Sequence, residues 1–321
     1  MGGCGGGRSQ FRYAELPISY SAVTHVADSL GYAKAQGLNY FVISVPAGPD
    51  VVASLRNAGP SGAYAGGIAV TPVITMIAAD AHPVILGTTL DSDQQVQVVT
   101  FSRTGITKDA ASLRGKRVGV VRNTVGDIYL SRWLAQAGAH ESDLVVVDGR
   151  PGDLRSLLVD GALDAAILWD PFVAQSVQRY KERVAKDPSR NRGDPVVLVD
   201  PTMYHLAFNI VTTRDYLQSK RSEMMALLRA SISAADYVNS DPHRSQILLE
   251  KWLTLDGGDL DHFMKTTQFK VHLDVPRMKD WMRTELEWLR SKQPDTKIPA
   301  DFSQFIDTSL LKSINPALVT E

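Results

Sequence analysis

Apolar positions along the chain change period repeatedly, and the changes mark out elements. Gln10–Leu16 reads as a first strand. Ser21 to Gln36 has helical spacing, with Val23, Ala27, Leu30 and Lys34 stepping by three or four, and Gly37 ends it in a position that tolerates left-handed backbone. Leu38–Val45 alternates as a strand does, and Pro49–Asn57 suits a short helix. Ile68–Ala79 reads as an apolar helix, Pro83–Thr88 as a buried strand and Gln95–Phe101 as another. After Thr104 the pattern restarts. Strands are expected at Lys116–Val121, Leu144–Val147, Leu163–Leu168 and Pro195–Val199, and helices at Val125–Ala137, Asp153–Val159 and Pro171–Val184. From Thr213 onward only helices are expected: Tyr216–Asn239, Ser245–Leu253, Asp259–Phe269 and Val275–Lys292.

Strands alternating with helices imply mostly parallel sheets covered on both faces. The expected fold is therefore α/β, two doubly wound lobes with a helical C-terminal tail packed on one of them. Two breaks suit crossings between lobes, Thr100–Thr107 and Val199–Phe208. The expected organisation is a glycine-rich tether over 1–9, a first lobe from 10–101 plus 202–321, and a second lobe from 102–201.

Composition narrows the classes. The chain has 321 residues, enough for about two domains. Lys plus Arg is 34 and Asp plus Glu is 35, so the net charge of −1 argues against a nucleic-acid binder or a polybasic membrane patch. The longest uncharged run, Asn57 to Ala79, carries Pro60 and Pro72 and does not read as a membrane span. The single cysteine, Cys4, excludes an internal disulfide and a cysteine-based zinc site. It lies in MGGCGGGRSQ, too glycine-rich for a stable helix or strand. Cys4 followed by glycines resembles the acylated start of a mature bacterial lipoprotein, although no charged or apolar leader precedes it. A cloning remnant or an accidental cysteine is the alternative.

Enzyme signatures are largely missing. Gly115-Lys116-Arg117 is not a phosphate-cradling loop, Gly59-Pro60-Ser61-Gly62 is misspaced for a nucleophile elbow, and no H-E-x-x-H occurs. The seven histidines are scattered without metal-ligand spacing. No metal and no cofactor is expected. Polar groups converge instead where strands run into helices, the position at which α/β sheets bind ligands. Four turns qualify: Pro17-Ile18-Ser19-Tyr20, Ala65-Gly66-Gly67-Ile68, Asn123-Thr124-Val125-Gly126-Asp127 and Trp169-Asp170-Pro171. Each has a plain structural reading as well. Ser19 and Thr124 can be helix caps, the glycine pair a tight turn, Asp127 a first-turn carboxylate facing the helix dipole, and Trp169 part of the core.

The segments Ala111-Ser112-Leu113-Arg114-Gly115-Lys116-Arg117-Val118-Gly119-Val120, Asp160-Gly161-Ala162-Leu163-Asp164-Ala165 and Leu168-Trp169-Asp170-Pro171-Phe172 resemble bacterial periplasmic solute-binding proteins of the nitrate/sulfonate/taurine, NMT1/THI5-like branch. Ala47-Gly48-Pro49 agrees with it. The resemblance covers about residues 10 to 215 and implies the periplasmic-binding-protein type II fold. It also implies a binding protein rather than an enzyme: two lobes that close on a small solute and deliver it to an ABC permease and its ATPase. The implied location is the periplasm or the outer membrane face, with membrane attachment only through Cys4. A monomer suits the charge and the two lobes. By the resemblance, Thr124, Val125 and Gly126 hold the solute head group, Trp169 and Asp170 form the neighbouring wall, and Ser19, Tyr20, Gly66 and Gly67 line the first lobe.

The chain departs from the family at Gly59-Pro60-Ser61-Gly62 and at Asp127. A carboxylate in the head-group loop opposes an anion, at about 4 kcal/mol for like charges ~4 Å apart in an effective dielectric of ~20. That favours an amino-bearing or zwitterionic solute over nitrate or sulfate, and the expected solute is a small organic molecule, either sulfonate- or taurine-like or an amino-bearing heterocycle such as a pyrimidine precursor. Two other classes compete. A pyrimidine-precursor synthase on the same fold would be expected to carry a cysteine-rich motif and clustered histidines. A ligand-sensing domain would need an attached signalling segment.

Overall fold

The computed structural model describes residues 10–57 and 62–321. Cys4, its tether and most of Gly59-Pro60-Ser61-Gly62 lie outside the described residues. The first part of the chain runs through β1 (Phe11–Glu15), α1 (Ala22–Ser29), α2 (Tyr32–Ala35), β2 (Tyr40–Ser44), α3 (Gly48–Arg56), β3 (Ala65–Ala69), α4 (Val70–Ala78) and β4 (Pro83–Ser92). The middle part contributes β5 (Gln97–Phe101), β6 (Arg117–Val120), α5 (Val125–Gln136), β7 (Val145–Asp148), α6 (Pro151–Asp160), β8 (Ala165–Leu168), α7 (Phe172–Lys186) and β9 (Pro195–Leu198). The last part holds β10 (Leu206–Thr213), α8 (Arg214–Ser219), α9 (Arg221–Ser240), α10 (Pro242–Leu253), α11 (Asp261–Thr266), β11 (Gln268–Asp274), α12 (Val275–Lys292), α13 (Ser309–Ile314) and β12 (Val319–Thr320).

These strands form two sheets. The seven-stranded sheet has the order β12-β11-β4-β10-β3-β1-β2, and the five-stranded sheet β7-β6-β8-β5-β9. Pairs β1–β2, β1–β3, β6–β7 and β6–β8 are parallel, whereas β10 and β5 run antiparallel to both neighbours. β3 and β4 in the larger sheet and β5 in the smaller one are buried at every position, so none shows the in–out alternation of a half-exposed strand.

Several boundaries differ from the expectations, each for a local reason. The helix expected over 21–36 is broken at Gly31, whose φ of 76° lies in the left-handed region. The helix expected from Ile68 begins at Val70, because Ala65–Ala69 is a strand between β1 and β10. The segment expected as a crossing up to Phe208 is β10 from Leu206 onward. Strands do not stop after Thr213. β11 falls partly within the helix expected over 259–269, and its burial alternates, with Phe269, Val271 and Leu273 inward. The first crossing was expected at Thr100–Thr107. Gln97–Phe101 already pairs with β8 and β9, so the chain leaves the larger sheet through 93–96 and returns through 199–205.

Candidate functional site

Where the two sheets face each other lies a small cavity with about 20 Å³ of free space, lined by Leu16, Ile18, Tyr20, Gly48, Ala69, Pro72, Thr124, Val125, Trp169 and Phe208. Three helices start at its edge. Gly48 is the first residue of α3, Ala69 precedes α4, and Thr124 and Val125 open α5. Amide groups in a first helical turn lack intrahelical acceptors, and the positive ends of three helix dipoles converge here. Thr124 Oγ1 accepts from the Gly126 N–H at 3.3 Å and donates to Val121 O at 2.7 Å, so the Thr124 side chain is a cap. Gly126 packs its Cα face over Val120 and Ile167, outside the cavity lining.

Trp169 stands at the end of β8. It is 4% exposed, and its Nε1–H is buried without an acceptor. Such an orphaned donor costs about 1–3 kcal/mol in a protein interior. The Tyr20 ring lies 6.4 Å from Trp169 and 5.8 Å from Phe208, while its hydroxyl donates to Gln95 O at 2.8 Å in the first crossing. Ser19 spans the sheets: its N–H and its Oγ both point at the Asp170 carbonyl, each at 3.2 Å. The Asp170 carboxylate accepts from the Ala174 N–H at 3.3 Å, in the first turn of α7. Burial raises its pKa to about 6 against that hydrogen bond.

Three of the expected site residues are otherwise employed. Gly66 and Gly67 lie within β3 and are absent from the cavity lining. A Cβ on Gly66 would stand 2.7 Å from Val51 Cγ1, and one on Gly67 would stand 2.7 Å from the Phe208 ring. Close packing explains both glycines. Asp127 is turned away from the cavity. Its Oδ1 is 2.8 Å from Arg122 Nη1 and 3.1 Å from Lys292 Nζ, and its Oδ2 accepts from the Asn123 N–H at 3.1 Å. The carboxylate reading that favoured an amino-bearing solute therefore loses its residue. Glu141 joins the same cluster, 2.8 Å from Arg122 Nη2 and 2.7 Å from Lys292 Nζ. Hydrogen bonding from Arg122 first, and from Lys292 after it, holds Glu141 down to about 2.

Sequence reasoning missed Leu16, Gly48, Ala69, Pro72 and Phe208, whereas Ile18 lies in the first of its four turns. Leu16 and Gly48 follow the first two strands, a position that the strand-end rule covers. Phe208 left no such signal, because β10 was not foreseen. Beside the second crossing, Tyr204 donates to Glu285 Oε1 at 3.1 Å, and the Glu285 Oε2 is buried without a partner. Burial raises Glu285 to about 7. No group of three or more His, Cys, Asp or Glu that could hold a metal ion occurs among the described residues.

The profile described as NMT1/THI5 like matches residues 19–245. The chain belongs to the NMT1/THI5-like family. A putative aliphatic sulfonates-binding protein of Escherichia coli is 25% identical over 241 residues, covering 74% of this chain and 70% of that protein. A 4-amino-5-hydroxymethyl-2-methylpyrimidine phosphate synthase of Saccharomyces cerevisiae is 25% identical over 232 residues, and the match spans 65% of the length of that relative. Among solved structures, the periplasmic aliphatic sulphonate binding protein SsuA from E. coli superposes with a TM-score of 0.72 at 20% identity, covering 94% of this chain and 93% of that one. The periplasmic nitrate-binding protein NrtA from Synechocystis superposes at 0.75 with 14% identity, covering 96% and 89%. The fold is that of the periplasmic binding proteins, two α/β lobes joined by two crossing segments. No helix among the described residues is long and apolar enough to cross a membrane.

Proposed function

We propose that this chain is the extracytoplasmic solute-binding component of an ABC importer, a monomer whose two lobes close on one small organic solute. The lobes are the seven-stranded sheet with its helices and the five-stranded sheet with its helices. The observation that carries the reading is the Trp169 Nε1–H, buried without an acceptor on the wall of a cavity where three helices begin. Trp169, helix dipoles and first-turn amides all favour an acceptor. Leu16, Ile18, Tyr20, Pro72, Val125 and Phe208 supply the apolar remainder. The solute is thus a molecule with a hydrogen-bond-accepting head and a short apolar body, as an alkanesulfonate is. That agrees with relatives named for aliphatic sulfonates. Closure buries the head between helix ends, and differential binding to the closed state drives the closure.

An amino-bearing heterocycle finds no free carboxylate on this cavity wall, since Asp127 is paired with Arg122 and Lys292. The solute leaves unchanged, and the receiving partner is a membrane permease with its ATPase. Attachment through Cys4 belongs to the same reading. A thermal-shift panel of linear alkanesulfonates, nitrate and aminopyrimidines tests it. A cognate sulfonate at ~100 times its dissociation constant adds about 2.7 kcal/mol, several degrees of melting shift. A shift from the aminopyrimidines alone, or conversion of any of these compounds to a product, overturns the reading.

A further inference from the structure

The charge cluster that draws Asp127 out of the cavity spans the two lobes. Lys292 ends α12, which packs on α4 and β11 of the seven-stranded lobe. Asp127 opens α5, and Arg122 and Glu141 flank that helix on the five-stranded lobe. Two cations and two carboxylates therefore alternate in a closed ring in which only Lys292 comes from the opposite lobe. The Asp127 side chain is 4% exposed, whereas those of Arg122, Lys292 and Glu141 keep 30%, 30% and 34%. The Lys292 ammonium also stands 5.1 Å from the Trp288 ring, a contact that restricts its rotamers before it meets its partners.

We propose that Lys292 is a positioning residue for solute capture, a latch that biases the lobes toward closure by gripping the first turn of α5. The inference rests on the two-lobe capture reading above. Its physics is favourable in both states. When the lobes part, Asp127 keeps Arg122, while Lys292 and Glu141 regain water, so no charge is stranded in the interior. When they close, a partly shielded network of four charges forms, which salt screens less than an isolated surface pair. The latch also serves the cavity electrostatically. An unbalanced carboxylate in the first turn of α5 would cancel the positive end of the helix, and Lys292 and Arg122 together neutralise it. The apparent affinity for a solute rises with the population of the closed form, so Lys292 acts on binding without touching the solute. A second pair crosses the cleft elsewhere, Arg150 Nη2 to Asp50 Oδ1 at 3.1 Å, with the arginine side chain 60% exposed. It is the weaker contact and serves as the control.

Small-angle scattering of the full chain without any solute, at low and at molar salt, tests the latch. Lys292→Met is expected to lower the closed-to-open ratio about tenfold and enlarge the radius of gyration. Lys292→Arg keeps the wild-type value, and molar salt moves the wild type toward Lys292→Met. Arg150→Met changes the ratio by no more than about fivefold. Glu141→Gln opens the protein in the same direction, and combining it with Lys292→Met adds less than the sum. Superimposable scattering of Lys292→Met and wild type at both salts overturns the proposal, as does Lys292→Arg opening as far as Lys292→Met. Should Lys292→Met fail to fold by circular dichroism, Glu141→Gln decides: unchanged scattering overturns the latch. Because no solute is added, failure of the panel above would sink the solute reading and leave this result standing.

Discussion

Two neighbouring turns on the five-stranded sheet, Asn123–Asp127 after β6 and Trp169–Asp170 after β8, look alike in sequence and differ in their chemistry. Both place polar side chains at the carboxyl ends of adjacent parallel strands. In the first, the two buried polar side chains have protein partners: Thr124 caps α5, and Asp127 is held by Arg122, Lys292 and a backbone amide. In the second, the Trp169 indole N–H has none. A satisfied group explains itself by folding. An orphaned donor at 4% exposure on a cavity wall carries a cost that a solute acceptor would remove. On the proposed reading, the Thr124 and Asp127 side chains serve the fold and the Trp169 indole serves recognition.

The sharpest way to break that assignment is Asp127→Ala. It strips a carboxylate from two cations that retain about a third of their exposure, so the expected loss is about 2 kcal/mol in urea unfolding, below the ~3–5 of a fully buried pair. If Asp127 were instead a solute ligand, stability would hold and only binding would fall.

Gly67→Ala comes next. Its Cβ would press to 2.7 Å from the Phe208 ring and 3.0 Å from the Tyr13 hydroxyl. Overpacking of this kind costs about 1–3 kcal/mol, and because Phe208 lines the cavity the variant should also bind more weakly. An unchanged unfolding midpoint would return the glycine to the turn expected from sequence.

The most gradual effects concern pH, at most about 1.4 kcal/mol per pH unit for one group. Asp170 and Glu285 have folded values raised to about 6 and about 7 from 3.8 and 4.5. A raised folded value makes each contribution complete below the unfolded pKa and lost as pH rises through the folded one. Stability should therefore decline from 3.8 to about 6 through Asp170 and from 4.5 to about 7 through Glu285. Asp170→Asn and Glu285→Gln should each flatten their own window in denaturation series across pH. Glu141 has the opposite sign: lowered from 4.5 to about 2, it stabilises above 4.5 and its contribution disappears as pH falls toward 2. A Glu141→Gln profile parallel to wild type below pH 4.5 would contradict the cluster.

Much of the fold was legible because periodicity reports burial. The β–α alternation from Lys116 to Val199 came through with boundaries shifted by a few residues. What failed were segments whose burial hides the period. β10 is buried at seven consecutive positions and offered no alternation, and Ala65–Ala69 merged with the apolar helix after it. β11 was different, since Gln268–Asp274 does alternate, but a helical reading of the preceding residues ran over it. The strand-end rule singles out Tyr20, Thr124, Val125 and Trp169, which the structure places around one cavity. It could not tell a paired carboxylate from a free one. Lys292 lies 165 residues from Asp127, and nothing in the local sequence announces it.

The most direct test of the central claim is calorimetric titration of a homologous series of alkanesulfonates into the wild type and Trp169→Phe. The phenyl ring keeps part of the apolar wall, removes the indole N–H and leaves a void where the second ring stood. A binder is expected in the series, with affinity about tenfold lower for Trp169→Phe and unfolding stability lowered by about 1–2 kcal/mol, the cost of the void less that of the orphaned donor. Equal affinity in the two proteins, or no binding anywhere in the series, would contradict it.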